Sequence, residues 1–175
     1  MRESAPCSRY VIVTSESFVK IGARSSLHAI NGRGTGLKGY VEAAFWGDGL
    51  RPDTPVRVHL EIPVAKLASG NAAQDAEMHR LMASKAFPNI VAELVDATPA
   101  DRPNQYVVAG SIAVRGTTRV IAGEISMRQR DGRVEIDGQR TVDVNAFGIK
   151  PPRILMFEVY PDITISLRVV AILAQ

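Results

Sequence analysis

The sequence is poor in cysteine, in aromatic side chains and in clustered charge. Among its 175 residues Cys7 is the one cysteine, so the chain has no internal disulfide and no thiolate cluster for a metal. Aromatic residues make up 6%, and the formal net charge is +3, with no long run of Lys and Arg. Without such a run we expect no phosphate-tracking groove and no nucleic-acid partner.

Long apolar segments are also missing. No stretch reaches the roughly 18 consecutive apolar residues of a membrane-spanning helix, and the N-terminal MRESAPCSRYVIVT lacks the apolar region of a secretory signal. We therefore expect no stable membrane insertion. We expect a cytoplasmic location if the chain is full length, and a periplasmic one if a leader was removed.

The composition is that of a folded globular protein, with 46% apolar and 22% charged residues. The length predicts one domain over residues 1–175, with residues 1–9 as a flexible N-terminus. A domain of this size buries enough surface to fold without disulfides or metals.

The dominant pattern is an alternation of apolar and polar residues with a period of two. In the segment 56–64 every second residue is apolar, and segments 18–27 and 163–173 alternate in the same way. This alternation predicts strands that bury one face. Weaker alternation predicts further strands over 39–46, 90–96, 106–115, 118–128, 133–144 and 153–160.

Short turns connect these strands. RDGR (130–133) places Asp-Gly between two strands, which is a hairpin signature, and RGTT (115–118) predicts a second tight hairpin. Short reversals join antiparallel neighbours, and the absence of strand–helix–strand spacing excludes a parallel sheet. The pattern predicts an all-β, antiparallel fold of eight or nine strands, and both a sandwich and an up-and-down barrel are compatible with it.

One segment, residues 69–90, breaks the alternation and is rich in helix formers. Asn71 is placed to act as the N-cap, and Gln74 three residues later is placed to complete a capping box. Pro88 predicts that the helix ends by about Phe87. We therefore predict one short helix near residues 72–86, between two strands.

Four side chains share one side of this helix: Asp75, Met78, His79 and Met82. The simplest interpretation is a helix lying on apolar strands, with Asp75 bonded to His79. A polar pair at a pocket mouth is an alternative. Acid–base or metal chemistry is another, although zinc would need a third protein ligand.

Other candidate residues are less specific. His59 lies on the polar face of its strand and is interpreted as solvated, whereas His28 ends a strand and is either a strand-end residue or a hydrogen bonder at a pocket rim. The run FGIKPPRILMF (147–157) packs in the core or presents one face to an apolar ligand.

Four segments follow one another at characteristic spacing: FVKIGARSSLHAINGRGTGLKG (18–39), VHLEIPVAKLASGNAAQDAEMHRLMASKAFPNIVAEL (58–94), YVVAGSIAVRGTTRVIAGEI (106–125) and VDVNAFGIKPP (142–152). Together they resemble the YceI-like, lipocalin-related polyisoprenoid-binding proteins. The resemblance implies an eight-stranded antiparallel up-and-down (lipocalin-like) β-barrel with a helix beside one mouth. It also implies an apolar lumen that holds an isoprenoid or another long-chain amphiphile. The sequence departs from the family at Gln74-Asp75, where an Arg-Asp pair is usual.

The leading hypothesis is therefore binding, carriage or sequestration of a long-chain apolar ligand, with no catalysis, no metal and no cofactor beyond a bound isoprenoid or fatty acyl lipid. We expect three polar residues, His28, Asp75 and His79, at the pocket mouth. The alternatives are a small enzyme that uses Asp75 and His79 on a hydrophobic substrate, and a closed-core barrel that acts as a homodimeric interaction module. We expect the lumen to be lined by Val58, Leu60, Ile62, Met78, Met82, Phe87, Ile112, Val114, Phe147, Met156 and Phe157.

Overall fold

The computed structural model describes residues 6–151, 153–154 and 157–175, and within these the chain is mostly β-structure. The first eight strands lie before the helix. They are β1 (Ser8–Ile12), β2 (Phe18–Arg24), β3 (Ala29–Gly34), β4 (Lys38–Ala43), β5 (Phe45–Trp46), β6 (Gly49–Leu50), β7 (Arg57–Pro63) and β8 (Leu67–Ala68).

The helix α1 (Ala72–Leu81) separates these strands from the second group. Short 3-10 turns occur at Thr14–Glu16, Val64–Lys66 and Val144–Phe147. The strands after the helix are β9 (Asn89–Pro99), β10 (Gln105–Val114), β11 (Thr117–Arg130), β12 (Arg133–Asp143), β13 (Arg153–Ile154), β14 (Phe157–Glu158) and β15 (Asp162–Leu173).

Eight antiparallel strand positions close into a barrel. The order of hydrogen-bonded neighbours is β1–β4–β7–β9–β10–β11–β12–β15, and a further ladder joins β15 back to β1. Strands β2, β3 and β8 continue β1, β4 and β7 beyond bends, and β2 pairs with the N-terminal part of β15. The predicted eight-stranded antiparallel barrel with one short helix is confirmed, and the sandwich is excluded.

Both predicted hairpin turns are present. Asp131 and Gly132 have φ angles of 53° and 75°, and Arg115 and Gly116 have φ angles of 51° and 76°. Two successive positive φ angles give the turn the twist that matches the flanking strands. These two turns fix the register of β11 against β12 and against β10.

Ser8 and Arg9, the last two residues of the segment expected to be flexible, are the first residues of β1. Strand β1 lies between β4 and β15, where Tyr10 pairs with Val41 on one side and with Leu173 on the other. Tyr10 is buried, so this strand contributes to the core as well as closing the barrel.

The two ends of the barrel differ in packing. The end that carries β1, β4 and the β11–β12 hairpin is called here the closed half, because large apolar side chains fill it. The opposite end, which carries α1 and the β10–β11 hairpin, is called the open half. The most completely buried side chains, which lie in the closed half and at the bends next to it, are Leu37, Val41, Val64, Leu67, Met127, Val134, Val169 and Val170.

Helix α1 begins as the sequence predicts and ends earlier. The side chain of Asn71 accepts hydrogen bonds from the amides of Ala73 and Gln74, which confirms the N-cap. The prediction of a capping box is wrong, because the side chain of Gln74 accepts a hydrogen bond from Ser69 Oγ instead. The helix ends at Leu81 rather than near Phe87, since Ala83 adopts a left-handed φ of 50° that stops the helical ladder.

Within the described residues, no helix combines the length and the apolar character that a membrane-spanning segment needs.

Candidate functional site

The open half of the barrel has an apolar interior whose side chains are in large part only half-buried. Residues alternate between the two faces of a strand, so the inward positions follow from buried neighbours such as Met127 and Ile136. Unlike most of their counterparts in the closed half, many inward side chains here are only half-buried. They include Ile21, Ala23, Ile30, Ala92, Ile112, Ile121, Val142, Ile163 and Ile165.

The wall of the open half is interrupted between β11 and β12. The ladder between these two strands ends at the pair Ile125–Gly138. Beyond that pair, residues 117–124 are paired with β10 and residues 139–143 are paired with β15. An open depression of about 490 Å³ lies where the strands separate. The inward residues Ile125, Gly138 and Leu167 line it, together with outward polar residues that include Glu124 and Asp137. The open half therefore has a lateral opening as well as its mouth.

Two arginines occupy inward positions on the segments of β11 and β12 beyond the end of their ladder. Arg119 lies eight residues before Met127 on β11, and Arg140 lies four residues after Ile136 on β12, so both have the parity of the buried residues. Both side chains are exposed to solvent. Arg140 donates a hydrogen bond across the gap to the carbonyl oxygen of Ala122, and Arg119 Nε donates to that of Ala146 at 2.8 Å.

A segment called here the mouth cover, residues 144–149, lies across one side of the open end. Its Phe147 and Ile149 are buried against Val114, and Leu81 and Met82 of the helix pack on the same cluster. Two arginines anchor this segment. Arg119 donates to Ala146, as stated above, and Arg115 donates to the carbonyl oxygen of Gly148 at 3.0 Å. The cover and the helix thus share one small apolar cluster, which Met82 and Ile90 connect to the main core.

Asp75 and His79 attach the helix to the barrel and are not bonded to each other. Asp75 Oδ1 accepts hydrogen bonds from the amide and the hydroxyl of Ser69, at 2.8 and 2.7 Å. His79 Nε2 lies 2.9 Å from the carbonyl oxygen of Leu67 and therefore donates to it. The interpretation of a bonded Asp75–His79 pair is wrong. Because the Asp75 Oδ1 and His79 Nε2 atoms are bonded within the protein, the geometry gives no support to acid–base catalysis by the pair.

The predicted lining residues fall into different environments. Val58, Leu60 and Ile62 point inward on β7 and are buried in the main core, while Met78 and Met82 pack on that core from the helix. Whether any of them contacts a ligand stays a prediction.

Two further predicted lining residues, Ile112 and Val114, lie with Phe147 in the cluster beneath the mouth cover. Phe87 was expected to line the lumen; its side chain is 41% exposed and its ring lies against Gly116 of the β10–β11 turn. Whether Phe87 contacts a ligand from there stays a prediction. Met156 lies outside the described residues. The backbone of Phe157 belongs to β14, and its contact with a ligand stays a prediction.

His28 lies at the open end, as expected for a rim residue. It is exposed in the β2–β3 turn, and its Nδ1 donates to the carbonyl oxygen of Ala29 at 2.9 Å. A hydrogen bond to a ligand at this position stays a prediction.

His59 is bonded to acids rather than simply solvated. It lies on the outer face of β7, where its Nδ1 contacts Glu93 Oε1 and its Nε2 lies 3.3 Å from Glu61 Oε1. The ring of Tyr40 stacks on it, with centroids 5.4 Å apart. The hydrogen bond to Glu93 raises the pKa of His59 above its ordinary 6.5, with a smaller contribution from Glu61 and against the opposing effect of burial.

Sequence reasoning missed Arg119 and Arg140, although both lie inside predicted strands. The signal that locates them is the alternation itself, since each has the parity of an apolar residue further along its strand. No group of three or more His, Cys, Asp or Glu residues in the described part of the chain is arranged to hold a metal ion.

Comparison with known proteins places the fold. A family model described as YceI-like domain matches residues 10–171. Among solved structures, the chain is similar to BcnA from Burkholderia cenocepacia, with a TM-score of 0.77 and 16% identity, over 91% of this chain and 99% of BcnA.

Two further structures have the same fold. A polyisoprenoid binding domain from Saccharophagus degradans, implicated in plant cell wall breakdown, has a TM-score of 0.72 and 12% identity, over 96% of this chain and 99% of that one. The YCEI protein of Campylobacter jejuni has a TM-score of 0.62 and 12% identity, over 83% of this chain and 85% of that one. At these identities the likeness is one of fold. No curated protein matches the chain.

Proposed function

The chain belongs to the YceI-like domain family, and we propose that it binds the apolar chain of an amphiphile in the open half of its barrel. The proposal includes carriage or sequestration of the ligand and no chemical step. The similarity to a polyisoprenoid binding domain makes an isoprenoid chain one candidate, and a fatty acyl chain is the other. The cytoplasmic location stays a prediction from the sequence.

The observation that carries this proposal is the half-exposure of inward apolar side chains inside a closed barrel. Residues such as Ile121 and Ile163 belong neither to the main core nor to the cluster beneath the mouth cover. An eight-stranded barrel is just wide enough to enclose one slender ligand. Each CH₂ group transferred from water to such a surface contributes about 0.8 kcal/mol, so a chain of moderate length binds without specific polar contacts.

Packing limits the ligand to one end of the barrel. Val41, Met127 and Val169 in the closed half are 0–1% exposed, which leaves no room for a chain beside them. The ligand chain in this proposal therefore ends above these residues. A polyisoprenoid much longer than the open half would have to extend out through the mouth or the lateral opening.

The test is binding of an apolar fluorescent probe, such as N-phenyl-1-naphthylamine, to the whole chain and to two variants of adjacent residues. In Ile121→Trp an indole enters the lumen and occupies the proposed ligand volume. In Val120→Trp the indole lies outside, because Val120 points outward and is 86% exposed. We expect I121W to weaken probe binding by about tenfold or more, since it displaces several buried CH₂ equivalents, and V120W to bind as the unmodified chain does.

A second measurement identifies the natural ligand. Native mass spectrometry of the protein purified from its own host is expected to show a copurifying amphiphile that the I121W variant lacks. Equal probe binding by I121W and V120W, with no copurifying ligand, contradicts the proposal.

A further inference from the structure

The charged residues inside the barrel are all of one sign. At the inward positions of the described barrel strands, charge occurs at Arg119 and Arg140, and the other inward residues are apolar, glycine, hydroxyl-bearing or, at Gln129, an uncharged amide. The acidic residues of the same strands, Glu124, Glu135, Asp137 and Asp143, have the opposite parity and lie on the outer face, where Glu124 and Asp137 also line the depression at the lateral opening. The open half is therefore an apolar chamber whose inward charges are positive, with two carboxylates on the outer side of its lateral opening.

Neither guanidinium is neutralised by a carboxylate of the described residues. Within the part of the chain that the structure describes, no carboxylate forms an ion pair with Arg119 or Arg140. Both donate instead to backbone carbonyls, those of Ala146 and Ala122. These bonds hold each side chain in place, and a guanidinium that uses one N–H in this way keeps others for a further acceptor.

Filling the chamber changes the energetics of these two charges. In the empty state water solvates them, which fits their exposure. A bound chain displaces that water from the lumen side, and a charge that loses its solvent without gaining a partner is destabilised. A ligand with a negative headgroup restores the lost interactions, whereas a neutral ligand of the same length does not. The arrangement thus selects by penalising neutral ligands as well as by attracting anions.

We propose that Arg119 and Arg140 form a headgroup site, and that the ligand is a single-chain amphiphile with an anionic headgroup, a carboxylate or a phosphate, at the lateral opening between β11 and β12. This inference rests on the proposed function, because it needs the apolar chain to occupy the open half. The planar guanidinium suits either headgroup, since both present paired oxygens to parallel N–H donors.

The experiment compares three probes of equal chain length: dodecanoate, dodecyl phosphate and 1-dodecanol. Each compound is titrated against the whole chain with the fluorescent probe bound, and displacement of the probe gives its affinity. The readout is the affinity of each anion divided by the affinity of the alcohol. We expect at least one anion to bind about tenfold or more tightly than the alcohol, because hydrogen bonds to charged groups are among the stronger ones. The two anions distinguish a carboxylate from a phosphate ligand.

The variants Arg119→Gln and Arg140→Gln are expected to bring that ratio toward one, because each weakens anion binding and, by removing a charge that a neutral ligand leaves without a partner, strengthens alcohol binding. Arg119→Lys is expected to keep part of the preference, because it keeps the charge and loses the planar fork. Arg130→Gln is the control for net charge. It lies on the same strand with the outward parity and is exposed, and we expect no change in the ratio.

The outcomes separate this inference from the proposed function. If the alcohol and both anions bind equally in the unmodified chain, the headgroup site is overturned and the lumen proposal stands. If none of the three displaces the probe, both fail. If a glutamine variant weakens anion and alcohol binding by the same factor, that arginine acts only through the carbonyl it anchors, and the headgroup role is overturned for that residue.

Discussion

Ser69 and Asp75 connect the helix to the barrel through a single carboxylate oxygen, Oδ1 of Asp75, which accepts from both the amide and the hydroxyl of Ser69. Ser69 immediately follows the short strand β8, and Asp75 lies in the first turn of α1. The carboxylate therefore fixes the angle at which the helix leaves the barrel. It also has a favourable position near the positive end of the helix dipole.

We predict that Asp75→Ala lowers the free energy of unfolding by about 1–3 kcal/mol, because it leaves the partly buried Ser69 amide without its acceptor. Asp75→Asn keeps an acceptor oxygen and is expected to cost less. Urea denaturation followed by circular dichroism measures both. Glu77→Ala is the helix control, since Glu77 pairs with Arg80 on the exposed face. A loss from E77A equal to that from D75A contradicts the anchoring role.

His59 makes stability depend on pH. Its pKa is raised in the folded protein, chiefly by the hydrogen bond to Glu93, while the unfolded chain keeps a value near 6.5. A raised folded pKa means that the stabilisation is fully present below pH 6.5 and is lost as the pH rises through the folded value. We therefore predict that the free energy of unfolding falls above pH 6.5, in a step that Glu93→Gln diminishes.

Urea denaturation at a series of pH values measures this step, and NMR titration of the imidazole assigns it to His59. Three groups define the environment of the ring: Glu61 on its own strand, Glu93 on β9 and Tyr40 on β4. His28→Asn serves as a control, because His28 lies in the β2–β3 turn at the open end of the barrel, outside this cluster. A pH profile that E93Q leaves unchanged excludes the His59–Glu93 bond as its source.

Gly39 is required by the backbone of β4. Its φ is +144°, and a Cβ at this position would overlap the carbonyl oxygen of His59 on the neighbouring strand. We predict that Gly39→Ala costs about 3 kcal/mol or more, since backbone strain and a steric clash add. Gly22→Ala is the matched control on another strand, where the nearest atom to a Cβ is 3.9 Å away. Thermal unfolding of the two variants is expected to separate them clearly, with G22A within about 1 kcal/mol of the unmodified chain.

The strands were predictable because the burial of one face leaves a strong local pattern. Segment 56–64 became β7, with Val58, Leu60 and Ile62 buried. Closure of the barrel was not predictable from that pattern, because it depends on the pairing of Tyr10 with Leu173, which are distant in sequence. Alternation shows which residues share a face, and the choice between barrel and sandwich needs the strand neighbours. Family resemblance supplied that information.

The candidate site was predictable only in part. The sequence predicted the helix, the family resemblance placed it beside the mouth, and helical geometry placed Met78 and Met82 toward the core. The bonds of Asp75 and His79 to the Leu67–Ser69 segment could not be predicted, since that segment has no distinguishing pattern. The two inward arginines were missed for a different reason. Their proposed role depends on the end of the β11–β12 ladder at Gly138, and strand alternation does not show where a ladder ends.

Phe147 is predicted to hold the mouth cover closed. Its side chain is 5% exposed and packs with Val114 and Ile149 in the small cluster shared with the helix. Phe147→Ala removes the largest side chain of that cluster, and removal of a buried phenylalanine costs about 3–5 kcal/mol in a well-packed core. Because this cluster meets the main core only through partly buried residues such as Met82 and Ile90, we expect the loss to appear first as local opening.

Hydrogen exchange measures that opening at the amide of Ile149, which donates to the carbonyl oxygen of Val144 within the cover. We expect its exchange to accelerate by about tenfold or more in F147A. The amide of Val13, which donates to Val170 at the other end of the barrel, is the internal reference and is expected to exchange more slowly than that of Ile149. Acceleration of both amides by the same factor would mean that F147A unfolds the whole barrel, and the mouth cover would then be part of the core rather than a separately opening segment.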